Sequence, residues 1–206
     1  MKNVVIIGIA GGSGSGKTRL VKNILSAINN KEIISLEVDS YYKDLSHLTF
    51  DERCKNNFDH PDSIDFELLY NNLKKIINKK SVESPLYDYK THTRKKNEFK
   101  LINDVKVILL EGIFSLYNKR IRDLMSLKIF VDTPSDIRIL RRVKRDVNKR
   151  DRTIESIIKQ YSETVRPMYI KFVDPTKSYA DLIIPYGGKN KVSIDTIVTN
   201  IKKSYI

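Results

Sequence analysis

Cysteine and long apolar segments are the first things that this sequence of 206 residues lacks. Cys54 is the only cysteine, so no disulfide can form within the chain, and nothing points to an oxidising compartment. No apolar run approaches the roughly 20 residues that a membrane-spanning helix needs. We therefore expect a cytoplasmic protein with no membrane partner.

Signatures of dedicated nucleic-acid-binding proteins are also missing. Lys and Arg number 38 against 25 Asp and Glu, a net charge of +13. Such an excess suits nucleic acid or small anionic ligands. The basic residues are scattered, and no RNP-like or zinc-finger pattern accompanies them. The sequence therefore favours small anionic ligands and no nucleic-acid partner, with a nucleotide-gated nucleic-acid-binding protein as the alternative.

Short apolar runs alternate with amphipathic segments along the chain. The runs are VVIIGIA (4–10), IISLEV (33–38), VKVILLEG (105–112), LKIFVD (127–132) and ADLIIP (180–185). Short, nearly continuous runs are typical of strands buried on both faces. Helical patterns lie at 18–29, 66–80, 134–150, 153–172 and 192–205, with Pro134 at a first helical position. The alternation predicts an α/β fold with a parallel sheet flanked by helices, in a single domain spanning 1–206.

One stretch interrupts this alternation. The segment SVESPLYDYKTHTRKKNEFKLI, 81–102, mixes aromatic residues, threonines and charges without a helical period. Its weak two-residue period predicts a β-hairpin arm outside the main sheet, at about 82–102. The aromatic residues in it have little core of their own to fill, although core packing is the usual role of such residues.

A glycine-rich loop follows the first apolar run. GGSGSGKT, 11–18, matches G-x-x-x-x-G-K-[ST] between a predicted strand and a predicted helix. In such P-loop proteins the backbone N–H groups surround phosphate oxygens, the lysine reaches the β- and γ-phosphates, and the hydroxyl residue ligates Mg²⁺. The predicted phosphate-binding residues are Gly11, Gly12, Ser13, Gly14, Ser15, Gly16, Lys17 and Thr18. The motif predicts a P-loop NTPase-type fold that binds a nucleoside triphosphate.

Three classes of protein use such a loop: GTPases, ATP-driven motors and small-molecule kinases. The string NKRD, 148–151, matches the guanine-reading motif of GTPases, but it ends a charged helical pattern and no D-x-x-G follows an earlier strand. A motor would need a longer chain with further nucleotide-contacting segments. The sequence therefore favours a small-molecule kinase.

A kinase needs a carboxylate that orients the acceptor hydroxyl and takes its proton. Asp39 closes IISLEV and Glu111 closes VKVILL. Because the carboxyl ends of parallel strands share one edge, both are expected beside the glycine loop. Either carboxylate has the alternative of a helix cap or a surface ion pair.

A second acidic segment is NFDHPDSIDF, 57–66. Ser63 or Asp65 can cap the helix predicted from Phe66, which leaves Asp59 unexplained. Metal binding is the alternative for this cluster. A carboxylate at Asp59 would also suit two neighbouring sugar hydroxyls, because it accepts hydrogen bonds from both.

The motifs together resemble the uridine kinases, or uridine-cytidine kinases, a family of P-loop kinases. The resemblance rests on GIAGGSGSGKT, DSYYKDL, FDHPDS, YDYKTH, LLEGIF and YADLIIPYGGKN, and it runs in order through nearly the whole chain. It implies transfer of the γ-phosphate of ATP to the 5′-hydroxyl of uridine, and of cytidine, with Mg²⁺, in pyrimidine salvage. It also implies a homotetramer. Related kinases of phosphoribulose or pantothenate are the rival interpretation.

The resemblance implies roles for matching residues. Asp39 is the expected catalytic base, with Lys17 and Arg145 also catalytic, and Thr18 and Glu111 are expected at Mg²⁺. Lid arginines within 141–152 are expected to contact phosphates through Arg145 and Arg150. The expected nucleoside-binding residues are Asp39, Tyr42, Asp59, Tyr87, Tyr89, His92, Arg142, Arg152 and Gln160.

Two positions depart from the family pattern. Asp151 stands where the family commonly has Gly, which puts the flexibility and local charge of the lid in doubt. Tyr89 stands where Phe is usual, and its additional hydroxyl is expected to change how the arm contacts the base. Neither departure touches the transfer chemistry itself.

Overall fold

The computed structural model describes residues 4–205 and contains a parallel sheet of five strands. The strands are β1 (Val5–Ala10), β2 (Ile33–Glu37), β5 (Val107–Glu111), β6 (Leu127–Asp132) and β7 (Leu182–Pro185). Their order is β2-β5-β1-β6-β7, and every neighbouring pair is parallel. Each strand lies within one of the five apolar runs, so the predicted α/β class is confirmed.

Helices cover both faces of the sheet. The α-helices are α1 (Lys17–Ile28), α2 (Phe50–Cys54), α3 (Phe66–Ile77), α4 (Lys119–Arg122), α5 (Ser135–Arg150), α6 (Ile154–Gln160), α7 (Arg166–Met168) and α8 (Lys191–Tyr205). Short 3₁₀ helices span Val38–Tyr41, Pro61–Ser63, Asp174–Tyr179 and Gly187–Lys189. The capping prediction for α3 is confirmed for Asp65, whose carboxylate accepts the Leu68 N–H at 2.9 Å.

The core consists of two layers separated by the sheet. Successive strand side chains point to opposite faces, so Ile6 packs in one layer and Ile7 in the other. The first layer includes Leu69 and Leu73 of α3, and the second includes Ile24 of α1 together with residues of α8. Burial on both faces explains why the strand sequences are almost continuously apolar.

The predicted hairpin arm is present. Strands β3 (Val82–Asp88) and β4 (Thr93–Ile102) pair antiparallel in a separate two-stranded sheet. The guanidinium of Arg94 fastens the arm to the body, because it donates to the Tyr42 carbonyl at 2.8 Å and to Asp65 at 3.2 Å. These bonds hold the tip of the arm beside the carboxyl edge of the main sheet.

Two helical predictions differ in detail from the structure. The first helical residue after β6 is Ser135, and Pro134 is the N-cap before it. The predicted helix 153–172 is α6 followed by two π-helical segments, Tyr161–Val165 and Tyr169–Val173. Pro167 lies between these segments, and since proline has no N–H, the regular α-helical bonding cannot continue through it.

The residue that ends α5 has a left-handed backbone. Asp151 has φ +53° and ψ +37°, and its N–H bonds to the Asp146 carbonyl. Gly adopts this conformation without the steric penalty of a Cβ atom. A Gly, as in the family pattern that the sequence resembles, would suit this turn, and Asp is one of the few other residues that tolerate it.

We expect Asp151→Gly to raise the free energy of unfolding by about 0.5 kcal/mol and Asp151→Ala to lower it by about 1 kcal/mol, because only Gly relieves the left-handed strain. Urea unfolding of purified variants measures both. Asp151→Asn is the control that removes the charge and keeps the tolerance of this conformation. Equal stability of the Ala and Gly variants would contradict the expectation.

Candidate active site

A cleft of about 590 Å³ opens at the carboxyl edge of the sheet. The predicted residues that line it are Ser13, Gly14, Gly16, Lys17, Thr18, Asp39, Tyr89, Glu111, Arg145 and Arg150. Since the strands are parallel, β1, β2 and β5 all end at this edge, and the residues that follow or close them meet there. The structure thus brings the glycine loop and both strand-end carboxylates together, as expected from the sequence.

The glycine loop depends on close backbone approach. Gly11 has φ +137°, and a Cβ atom there would lie 2.4 Å from the Val131 carbonyl oxygen. Lys17 is the first residue of α1, and its ammonium group donates to the carbonyls of Gly11 at 2.8 Å and Gly12 at 3.1 Å. Burial lowers the pKa of Lys17 to about 8, although Glu111 and Asp39 act in the opposite direction. The loop therefore presents a desolvated cation and the positive end of a helix to an anion.

Thr18 and Glu111 form the candidate magnesium position. The Thr18 hydroxyl donates to the Glu111 carboxylate at 3.1 Å. Burial raises the pKa of Glu111 to about 7, a change that a divalent cation would oppose. Residues 4–205 contain no group of three or more His, Cys, Asp or Glu side chains suited to a metal. Mg²⁺ commonly uses one or two protein oxygens together with phosphates and water, so the pair fits it.

Asp39 lies in the 3₁₀ turn that follows β2. Its Oδ1 atom is buried and accepts no hydrogen bond from the described residues. Burial raises the pKa of Asp39, while the charges of Lys17 and two arginines lower it. A raised pKa makes a carboxylate a better proton acceptor near neutral pH, and the free oxygen is the atom that a hydroxyl ligand would contact.

An aromatic cluster adjoins the cleft on the side of the hairpin arm. The Tyr42 ring lies 5.2 Å from Phe58 and 5.0 Å from Tyr87, and Phe58 stacks on His92 at 5.0 Å. Tyr89 lies 5.4 Å from Tyr87 and also lines the cleft. Burial lowers the pKa of His92, and nearby arginines lower it further, which favours the neutral imidazole. The four aromatic residues predicted to bind the nucleoside are therefore neighbours.

Three of the predicted lid and base-edge residues contact one another. The Gln160 side-chain oxygen accepts from Arg142 at 2.9 Å and from Arg152 at 2.5 Å. Arg142 also donates to the Ser13 hydroxyl at 2.9 Å, which joins the lid to the glycine loop. Asp59 is half-buried and faces Arg142, and burial raises the pKa of its carboxyl group.

Sequence reasoning missed several residues of this site. Arg141 donates to the Ser15 carbonyl at 3.1 Å, and the cleft is also lined by Arg19, Glu37, Tyr186 and Lys189. Phe58 lies within the acidic segment noted in the sequence, but its neighbours gave no sign of a stacking role. The buried Asp146, which lies among four arginines, gave no signal, because nothing in the sequence distinguishes it from solvated charges.

The GTPase alternative loses support from the geometry. The NKRD string occupies the last turn of α5 and the Asp151 cap and does not directly follow a strand, so it does not match the position of a guanine-reading motif. No helix in the described part of the chain is both long and apolar enough to cross a bilayer.

The chain is similar to known proteins over most of its length. A model of the phosphoribulokinase/uridine kinase family matches residues 6–193. The uridine kinases of Halalkalibacterium halodurans and Bacillus subtilis are 51% and 50% identical over 201 residues, which cover 98% of this chain and 95% of each relative. Among solved structures, phosphoribulokinase from Rhodobacter spheroides has a TM-score of 0.67 at 16% identity, covering 90% of this chain and 71% of that one. D-Glycerate 3-kinase from Cryptococcus neoformans has a TM-score of 0.67 at 15% identity, covering 85% and 81%. These two structures share the fold.

The pKa of Lys17 predicts how nucleotide binding depends on pH. A triphosphate binds the protonated ammonium, so its affinity should be constant below about pH 8 and fall above it, approaching about tenfold per pH unit. Calorimetric titration with ATP in the absence of an acceptor, between about pH 7.5 and 9.5, measures this. Adenosine, which has no phosphate, is the control and should show no such fall. An ATP affinity that stays constant throughout would contradict the prediction.

Proposed function

Since the chain belongs to the phosphoribulokinase/uridine kinase family, we propose that it transfers the γ-phosphate of ATP to the 5′-hydroxyl of uridine and of cytidine. The products are UMP or CMP and ADP, a reaction of pyrimidine salvage. The observation that carries the proposal is the free, buried Oδ1 of Asp39 in the cleft that Lys17 also lines. A phosphate held by the loop and a hydroxyl held by Asp39 would be neighbours.

In this mechanism Asp39 orients the 5′-hydroxyl and accepts its proton as the oxygen attacks the γ-phosphate. The attack is in line with the departing ADP oxygen. Lys17, Arg145 and Arg150 line the cleft, and their positive charges match the negative charge of the phosphoryl oxygens in the transition state. Planar arginine donors suit this charge because it is spread over several oxygens.

Mg²⁺ would be held by Thr18 and, directly or through water, by Glu111. When bound, it would neutralise part of the phosphate charge during transfer. The two protein oxygens lie 3.1 Å apart, at the start of α1 and the end of β5. Hard oxygen ligands of this kind are those that Mg²⁺ prefers, which supports this part of the proposal.

The nucleoside would lie between the lid and the arm. Asp59 would accept hydrogen bonds from the 2′- and 3′-hydroxyls, which favours a ribonucleoside over a deoxynucleoside. Arg142 would lie near the 5′-oxygen, and Arg152 with Gln160 would contact the edge of the base. The base itself would pack among Tyr42, Tyr87, Tyr89 and His92, and the contacts within this cluster support an apolar base site.

The remaining expectations belong to the same proposal. We expect a cytoplasmic enzyme with a single P-loop kinase domain over 1–206, a nucleoside-binding arm at about 82–102 and a lid at about 141–152. The homotetramer implied by the resemblance is tested by sedimentation of the purified protein. No nucleic-acid partner is expected, since the clustered arginines face the cleft.

A phosphoribulose or pantothenate acceptor is the second candidate, because the family and the fold include phosphoribulokinase. The stacked Phe58–His92 pair and the surrounding tyrosines favour a planar base over a sugar phosphate or a flexible acid. A panel of nucleosides, phosphoribulose and pantothenate with labelled ATP decides between them. Transfer to uridine, and not to the other acceptors, is the expected result.

Asp39→Asn should lower kcat by roughly 100-fold or more while uridine still binds, because the amide keeps the shape of the carboxylate but cannot take the proton. Steady-state turnover and calorimetric uridine binding measure the two effects. The matched control is Glu32→Gln, since Glu32 immediately precedes β2, at the opposite edge of the sheet, and should leave turnover unchanged. Full activity of the Asn variant would remove Asp39 from its proposed role.

Uridine and cytidine should both be phosphorylated, and purine nucleosides should not. Neutral His92 has one donor and one acceptor nitrogen, so it can satisfy either the uracil carbonyl or the cytosine amino group. Turnover with each nucleoside at saturating ATP measures this. His92→Phe retains an aromatic ring against Phe58 and should raise KM for both pyrimidines. Good turnover of uridine with none of cytidine would contradict the prediction.

A further inference from the structure

The arginines of the lid converge on one carboxylate. Asp146 is fully buried in α5. Four guanidinium groups lie near its oxygens, at 2.7 Å for Arg145, 3.5 Å for Arg150, 3.6 Å for Arg142 and 4.0 Å for Arg152. A single negative charge therefore lies among four positive ones.

This cluster is incompletely hydrogen-bonded. Arg145 donates from Nε to Oδ1 of Asp146, but Oδ2 accepts no hydrogen bond from the described residues. The Nε atom of Arg142 is also buried and lies 3.6 Å from Oδ2, slightly too far for a hydrogen bond. Buried charged groups normally satisfy their hydrogen bonds. With four guanidinium groups around one carboxylate, the cluster has positive charge to spare for a further anion.

The same arginines reach the cleft. Arg145 and Arg150 line it together with Lys17, and Arg142 donates to the Ser13 hydroxyl of the glycine loop. A polyphosphate on the loop would therefore compete with Asp146 for guanidinium groups. Two other carboxylates face these arginines: Asp59 lies near Arg142 and Arg145, and Asp39 lies near Arg145 and Arg150. Both are assigned to the acceptor nucleoside, which leaves Asp146 without a substrate contact.

We propose that Asp146 is a positioning residue that occupies the place of a phosphate: it holds the lid arginines together before the donor binds and releases guanidinium contacts to the donor phosphates afterwards. The identity of the donor as ATP rests on the proposed function. The exchange itself requires only a polyphosphate in the cleft. Asp146 thus opposes phosphate binding in the ground state and keeps the arginines in place for transfer.

For the variant Asp146→Asn, the proposal predicts tighter polyphosphate binding together with slower transfer. Asp146→Asn keeps the side-chain shape and removes the competing charge, so polyphosphate should bind more tightly. The same change leaves the arginines repelling one another without a counter-ion, so their geometry for transfer should be lost. A purely structural role for Asp146 predicts weaker or unchanged binding instead.

The test measures binding of inorganic tripolyphosphate by calorimetry, without nucleoside, and kcat with uridine. Asp146→Asn should bind tripolyphosphate about tenfold more tightly, since a unit charge near the ligand is removed in a poorly solvated site, and kcat should fall at least about tenfold. Asp146→Glu keeps the charge and should retain the wild-type affinity with a lowered kcat. Asp136→Asn is the matched control, because it removes an exposed charge from the first turn of the same helix, outside the lid, and should change neither quantity.

Weaker or unchanged tripolyphosphate binding by Asp146→Asn, an equal gain in Asp136→Asn, or wild-type turnover in Asp146→Asn would overturn the proposal. If Asp146→Asn does not fold, an NMR titration of the wild-type protein tests the proposal. The NMR signal of Arg145 Nε–H should shift when tripolyphosphate saturates the cleft, and an unchanged signal would refute the exchange. The binding and NMR results do not require uridine turnover, so they stand even if the proposed acceptor is wrong.

Discussion

The shared direction of the five strands is the constraint on which the site depends. Because β1, β2 and β5 run parallel, the residues at their carboxyl ends lie at one edge, although they are far apart in the sequence. The register places Glu37 beside Glu111 across the β2–β5 pair. Ile9 of β1 lies on the other side of Glu111. The glycine loop, the candidate base and the candidate metal ligand are thus brought together by backbone pairing before any of their side chains interact.

Bringing these groups together has an electrostatic consequence. Burial lowers the pKa of Lys17 and raises the pKa values of Asp39 and Glu111, so each is shifted toward its neutral form. Such shifts reduce the stability of the ligand-free protein and are common where a site is built for charged ligands. In the proposed function, a triphosphate with a divalent cation would supply the missing opposite charges. The same reasoning applies to the lid, where Asp146 partly balances arginines that otherwise repel one another.

The sequence predicts the parts of this molecule that are encoded locally. The strands follow from continuous apolar runs, and the glycine loop follows from the fixed spacing of Gly16, Lys17 and Thr18. The burial of Asp146 could not be predicted, because it depends on how α5 packs beside the loop and on arginines that a helical pattern also places on a solvated face. The stacking of Phe58 on His92 is equally inaccessible, since the two residues come from separate segments that only the folded arm brings together. The roles assigned to these side chains remain predictions.

The segment from Asp39 to Lys43 connects the candidate base to the hairpin arm and to the acidic segment 57–66. Tyr41 and Lys43 bond through their backbones to Asp65 and Ser63 of the acidic segment, at 2.8 Å each. Arg94 of the arm bonds to the Tyr42 carbonyl between them. Asp39 precedes this fixed stretch by two residues, so the contacts that hold the arm side of the cleft also set where its carboxylate lies. The arm and the candidate base are therefore linked through one short stretch of backbone, and a change in the contacts of Arg94 would act on both.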